Sequence, residues 1–241
     1  MARYELLNNV AHKDLKVNTE KSAALGNNQT YTYVYPFEFK HAQADYPIFF
    51  IKDKKTGKYQ AIALFGFEDN ENLYLTEQGW NASYIPLMVE REPFLIGFQN
   101  QPGQEQQAVI HIDMDSPRLN KDTGMDIFLE HGGNSDYINH ISTILKTIHD
   151  GQTSTDQFMD KVQSLDLLEP INLDIQLNDG SNHRLAGFFT LNEDKLRQLS
   201  GDQLVELSQS GMLNVLYMVI ASHANLTSLI QKKEQQRQAN T

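Results

Sequence analysis

The chain contains no cysteine in 241 residues. That absence removes disulfides, thiolate metal sites, iron–sulfur clusters and cysteine nucleophiles together, and it suits a reducing compartment. Basic charge is scarce. Lys and Arg total 20 against 31 Asp and Glu, a formal net charge of −11. Such a chain repels phosphate backbones unless its cations gather in one patch. The one dense patch, Lys52, Lys54, Lys55 and Lys58, surrounds Thr56-Gly57 at an expected hairpin tip, where solvated turn charges are the plain reading. Nucleic acid is therefore not an expected partner. Long apolar runs are also lacking. The most apolar stretch, residues 212–221, is about half of the roughly 20 residues that span a bilayer, and Asn214 interrupts it. The N-terminal Met1-Ala2-Arg3-Tyr4-Glu5 has neither the apolar run nor the cleavage site of a secretory signal. A soluble, cytoplasmic protein that does not span a membrane is the expectation.

What is present is a globular composition, 40% apolar and 21% charged, enough to bury a core without a metal or disulfide staple. Residues 1–30 are weakly patterned and read as an irregular arm, with Gly26-Asn27-Asn28 as a turn. Residues 31–241 read as a single α+β domain, β-rich over 31–120 and mainly helical over 130–241. Tyr31, Tyr33, Tyr35, Phe37 and Phe39 alternate with other residues as in a strand, which Pro36 confines to an edge or a break. Apolar runs at 46–51 and 59–67 flank Lys55-Thr56-Gly57-Lys58 as a hairpin. Further strands are expected at 73–75, 85–89, 94–98 and 108–113, with a polar loop over 99–107. Short connections imply antiparallel pairing.

After Gly132-Gly133-Asn134-Ser135 the period changes to that of a helix. Ser135 or Asp136 is the cap, Ile138, Ile141, Ile144, Leu145 and Ile148 form one face, and Gly151 is the stop. A second helix begins at Ser154 or Thr155. Residues 171–177 and 184–191 flank Asn178-Asp179-Gly180-Ser181 as one further hairpin. Short helices follow, then a long one over 212–237 whose first half is apolar on most sides and expected to be buried all round.

The order of motifs resembles the bacterial SapC family, first named from surface-array (S-layer) gene clusters. The segments that carry the likeness include Asn8-Asn9-Val10-Ala11-His12-Lys13-Asp14-Leu15, Asp45-Tyr46-Pro47-Ile48-Phe49-Phe50, Ala63-Leu64-Phe65-Gly66-Phe67, Gly79-Trp80-Asn81-Ala82-Ser83-Tyr84-Ile85-Pro86, Arg91-Glu92-Pro93-Phe94, Ile112-Asp113, Leu167-Leu168-Glu169-Pro170 and Asn192-Glu193-Asp194-Lys195-Leu196. The resemblance runs through nearly the whole chain. It implies a companion of surface-layer or TonB-receptor systems and supplies no catalytic motif.

Two functional readings follow. The first is a non-catalytic binding or accessory protein that recognises a peptide or protein partner and needs no cofactor. Trp80, Tyr84 and Arg91 are the candidate groove residues, since aromatics and Arg dominate binding hot spots. Core anchoring of Trp80 is the alternative. His223, with Asn214 and Asn225, is either a ligand contact or part of a satisfied core network. The second reading is an Fe(II)- and 2-oxoglutarate-dependent hydroxylase. His111 and Asp113 sit at i and i+2 of a strand and share a face, and His183 would complete a facial triad. The alternative is an ordinary strand end. There is no Gly-x-Ser-x-Gly elbow, and the Gly132-Gly133 turn lacks the lysine of a P-loop.

Overall fold

The computed structural model of the chain describes residues 3–99 and 107–239, and the expected loop at 99–107 lies outside these apart from its ends. In chain order the first elements are β1 (Tyr4–Leu6), β2 (Lys16–Val17), β3 (Tyr31–Tyr33), α1 (Phe39–Ala42), β4 (Ile48–Lys52), β5 (Tyr59–Leu64), β6 (Leu75–Thr76), β7 (Gly79–Trp80) and α2 (Leu87–Glu90). Then come β8 (Phe94–Gln99), β9 (Gln107–Asp113), β10 (Leu119–Asn120), β11 (Met125–Asp126), α3 (Asp136–Asp150), α4 (Gln152–Ser164), β12 (Leu168–Gln176) and β13 (Asn182–Leu191). Helices α5 (Glu193–Arg197), α6 (Gly201–Gln209), α7 (Met212–Ser222) and α8 (Asn225–Ala239) close the chain. The class is α+β with antiparallel sheets. The chain divides into two compact, interleaved units: residues 1–27 with 87–150, and residues 28–86 with 151–241.

The first unit holds the sheet β1-β9-β8 and the small sheet β10-β2-β11. Residues 1–30, expected to be irregular, contribute a strand to each. Tyr4 pairs with Asp113 and Leu6 with His111. Strands β8 and β9 run in register from Phe94↔Ile112 to Gln99↔Gln107. Helix α3 buries Ile138, Ile141, Ile144, Leu145 and Ile148, the i, i+3, i+4, i+7 set of one helical face, and α3 contacts β8. Each such side chain contributes about 1.5–3 kcal/mol of burial. Ser135 caps the helix: its Oγ accepts from the Ile138 N–H at 3.3 Å and donates to the Asp126 carbonyl at 2.6 Å.

The second unit is built on the sheet β12-β13-β4-β5-β3. Phe49, Phe50, Ile62, Leu64 and Phe65 are buried in its core with Leu216 and Val219 of α7. Helix α8 fastens two turns. The buried Lys233 pairs with Glu71 and lies 3.0 Å from Glu68. Arg237 pairs with Asp179, and Glu234 accepts from the Asn178 N–H at 2.6 Å. Gly66 is required here, because a Cβ at that position would stand 2.6 Å from the Glu71 carbonyl oxygen.

Several expectations change. Residues 85–89 do not form a strand; Pro86 precedes the helix α2, as befits a residue whose fixed φ suits a helix start. The aromatic strand stops at Tyr33, and Pro36 opens a 3₁₀ turn closed by Glu38, whose carboxylate accepts from the Tyr35 N–H at 3.0 Å. The long C-terminal helix breaks at His223-Ala224. Its apolar first half is not buried all round. Of α7, Leu216, Val219 and Ser222 are buried and Tyr217 is 53% exposed. Residues Met212–Gln238 are the one helical run, among the described residues, long and apolar enough by length and composition to cross a membrane, and 22% of its most apolar window is buried. A helix that is apolar on most sides can lay only one face on a sheet.

Replacing Lys233 by Ala strands the nearly buried Glu71 carboxylate without its cation. Urea unfolding of the Lys233→Ala variant is expected to show a loss of about 3 kcal/mol. A loss under about 0.5 kcal/mol, the level of a solvated surface pair, would refute the fastening role.

Candidate functional site

The turn after β9 places a guanidinium inside the first unit. The Ser116 N–H bonds the Asp113 carbonyl at 3.2 Å, and the Arg118 N–H reaches Ser116 Oγ at 3.3 Å. Arg118 is 1% exposed. Its Nη1 donates to the carbonyls of Asn18 (3.2 Å) and Glu20 (2.9 Å), and its Nη2 to Asn27 Oδ1 (2.6 Å). Asn27 is itself fully buried. Glu92 Oε2 lies 3.6 Å from Nη2. Arg118 Nε is buried and has no hydrogen-bond partner among the described residues.

Beside this group opens a cavity of about 280 Å³. Tyr4, Leu25, Pro93, Leu95 and Pro117 supply apolar wall, and Arg91, Glu92, Asp113, Asp115 and Arg118 supply charge. The polar groups are held by the fold. Arg91 Nη1 donates to the Phe94 carbonyl at 2.5 Å and its Nε meets Met88 Sδ at 3.4 Å. Asp115 accepts from the Arg3 N–H at 3.0 Å, and Asp113 from the Asp115 N–H at 3.1 Å. The Glu92-Pro93 peptide is cis. A cavity of this size has room for a side chain or a short stretch of backbone.

Burial sets the electrostatics. Desolvation raises the Glu92 carboxyl above its ordinary value, against the opposing pull of Arg118, Arg91 and Lys21. Desolvation, then the Arg118 charge, brings Lys21 down to about 8, while Glu92 and Glu90 oppose the shift. Arg118 is likewise lowered by burial, with Glu92 working against it.

A family model described as SapC matches residues 7–229. The chain belongs to the SapC family. No curated protein and no solved structure matches it. The family match covers both units of this SapC chain and includes Lys21, Arg91, Glu92, Asp113 and Arg118.

The cavity of the SapC chain brings together Arg91 and Asp113 from the sequence-predicted residues. Trp80 and Tyr84 belong to the second unit, where their polar atoms bond within the fold. Trp80 Nε1 donates to Tyr46 Oη at 2.7 Å, and its indole packs edge-on to Phe65 at 5.1 Å. Tyr46 in turn donates to the Tyr84 carbonyl, while Tyr84 Oη donates to the buried Glu38 at 2.8 Å. Asp45 Oδ2 accepts from the N–H groups of Ser83 (3.0 Å) and Tyr84 (3.1 Å). The Gly79-Trp80 segment is thus anchored in an aromatic core. His111 and Asp113 lie on β9, and the His111 ring covers Gly97, where a Cβ would meet it at 2.8 Å. His183 lies in the second unit, its Nδ1 3.4 Å from Glu68. Among the described residues no group of three His, Asp or Glu side chains could hold a metal ion. Sequence reasoning missed Arg118 and Glu92 as site residues. Glu92 stood within a quoted motif, whereas Arg118 looked like any polar residue after a Ser-Pro turn.

His223 joins a core network. Its Nε2 donates to the Ile48 carbonyl at 3.2 Å with Thr190 Oγ1 at 3.4 Å, and its ring stacks on Phe49 at 5.0 Å. Burial lowers its pKa below 6.5, although the Ile48 bond and Glu193 oppose this. The folded pKa is depressed, so the stabilisation is present above pH 6.5 and is lost as pH falls through the folded value. Thermal melts of His223→Gln, which keeps a donor for Ile48, are expected to show a shallower fall in Tm below pH 6.5 than the parent. Parallel Tm–pH curves would contradict this.

Proposed function

We propose that this SapC-family chain is a soluble, cytoplasmic, non-catalytic accessory protein that binds a peptide segment of a protein partner. The partner is assigned to a surface-layer or TonB-receptor system, on the family resemblance. The observation that carries the reading is the charged cavity beside Arg118. Its charged groups are already fixed by bonds to the fold, as a preformed recognition site requires. Arg91 holds a carbonyl of its own unit and Asp115 a backbone N–H, roles that suit a rigid receptor better than groups that must gain and lose protons in each turnover. Pro93, Leu25 and Leu95 add apolar wall for a side chain.

The test is an array of overlapping peptides drawn from the surface-layer and TonB-receptor proteins of the same organism. Bound sequences are expected, and Arg91→Ala is expected to weaken them about tenfold, the effect of losing one well-placed contact. Either no bound peptide, or full binding by Arg91→Ala, would remove this reading.

A further inference from the structure

Helices α7 and α8 leave one face open to solvent. Asn214, Tyr217, Ala221, Ala224, Ser228 and Gln231 are all exposed. Their spacing alternates three and four, which keeps them in one line along a helix. The line runs through the break at His223-Ala224, since Ala221, Ala224 and Ser228 around it are exposed alike. Leu213 and Ile220, each one residue before a position of the line, are partly exposed and give it an apolar flank.

The composition of this face sets it apart. The outer face of a surface helix normally carries charge. Residues 212–231 hold no Asp, Glu, Lys or Arg, in a chain that is 21% charged. Their one histidine, His223, bonds the Ile48 carbonyl within the fold. Nucleic acid and anionic lipid need cations that this face lacks. A neutral bilayer would leave the amides of Asn214 and Gln231 without hydrogen-bond partners.

A second copy of the chain meets both demands. At a formal charge of −11 two copies repel over most of their surface, and a charge-free face is where they repel least. We infer that α7 and α8 pack antiparallel on the same two helices of a second copy, about a two-fold axis between Ala221 and Ala224. Ala221 then lies opposite Ala224 of the other copy, Tyr217 opposite Ser228, and Asn214 opposite Gln231. Small residues at the crossing let the backbones approach. The tyrosine ring meets a small side chain, and each amide meets another with a donor and an acceptor to offer. This contact is separate from peptide binding, since both helices belong to the second unit and the cavity beside Arg118 to the first.

Light scattering on the full chain at about 100 µM reads the mass. The parent is expected at twice the 27.5 kDa of one chain. Ala221→Lys combined with Ala224→Lys sets like charges face to face, which costs more than about a hundredfold in affinity, and this variant is expected at the single mass. Both positions are exposed and lysine is a good helix former, so its circular dichroism is expected to match the parent. Ala221→Glu combined with Ala224→Lys sets opposite charges face to face in the antiparallel register, and is expected to keep the double mass. A parent at the single mass overturns the proposal, as does a lysine variant that stays double. A single mass for the glutamate–lysine variant overturns it too, because like charges meet there only in a parallel pair. A parent that floats with phosphatidylcholine vesicles, when the lysine variant does not, assigns the face to a membrane and likewise overturns it.

Discussion

A buried guanidinium organises the first unit. Arg118 cannot shed its proton and must find acceptors wherever the fold places it. It finds them in the carbonyls of Asn18 and Glu20 and in the side chain of Asn27. Those acceptors come from the segment after β2, so one side chain holds an irregular stretch of chain against the turn that ends β9. Removing an acceptor would leave charge uncompensated in the interior, a cost of several kcal/mol. The cavity is a consequence. Arg118 and the half-buried Glu92 both stand in its wall, and desolvation there raises the Glu92 carboxyl.

The second unit solves a different problem by aromatic packing. Five ring pairs among Tyr46, Tyr74, Phe65 and Trp80 lie within 6.5 Å, four of them edge-on. The polar tips of three of them are spent inward: Trp80 on Tyr46, Tyr46 on the Tyr84 carbonyl, and Tyr74 on the Asp45 carbonyl at 2.6 Å. Burial raises the pKa of both Tyr46 and Tyr74, which keeps their hydroxyls as donors. These inward bonds pin the aromatic-rich segment around Trp80 to the fold.

Strong local periodicity was legible from the residues. The isoleucine face of α3, the Ser135 cap and the hairpin of β12 and β13 all follow from spacing and turn chemistry. The candidate site was less legible, for a physical reason. Whether Arg118 is buried depends on the carbonyls of residues a hundred positions earlier in the chain, which no local pattern encodes. The same holds for β1, whose three residues carry no strand signal until β9 supplies an edge. The helix α2 was mistaken for a strand because four apolar-rich residues after a proline fit either period.

We place the partner site of this SapC-family chain at the cavity beside Arg118. Hydrogen–deuterium exchange of the full chain, with and without a bound array peptide, reads that location directly. The expected result is slower exchange confined to residues 22–27, 91–95 and 113–118. Slower exchange around Trp80 and Tyr84 instead, with those three segments unchanged, would contradict the claim.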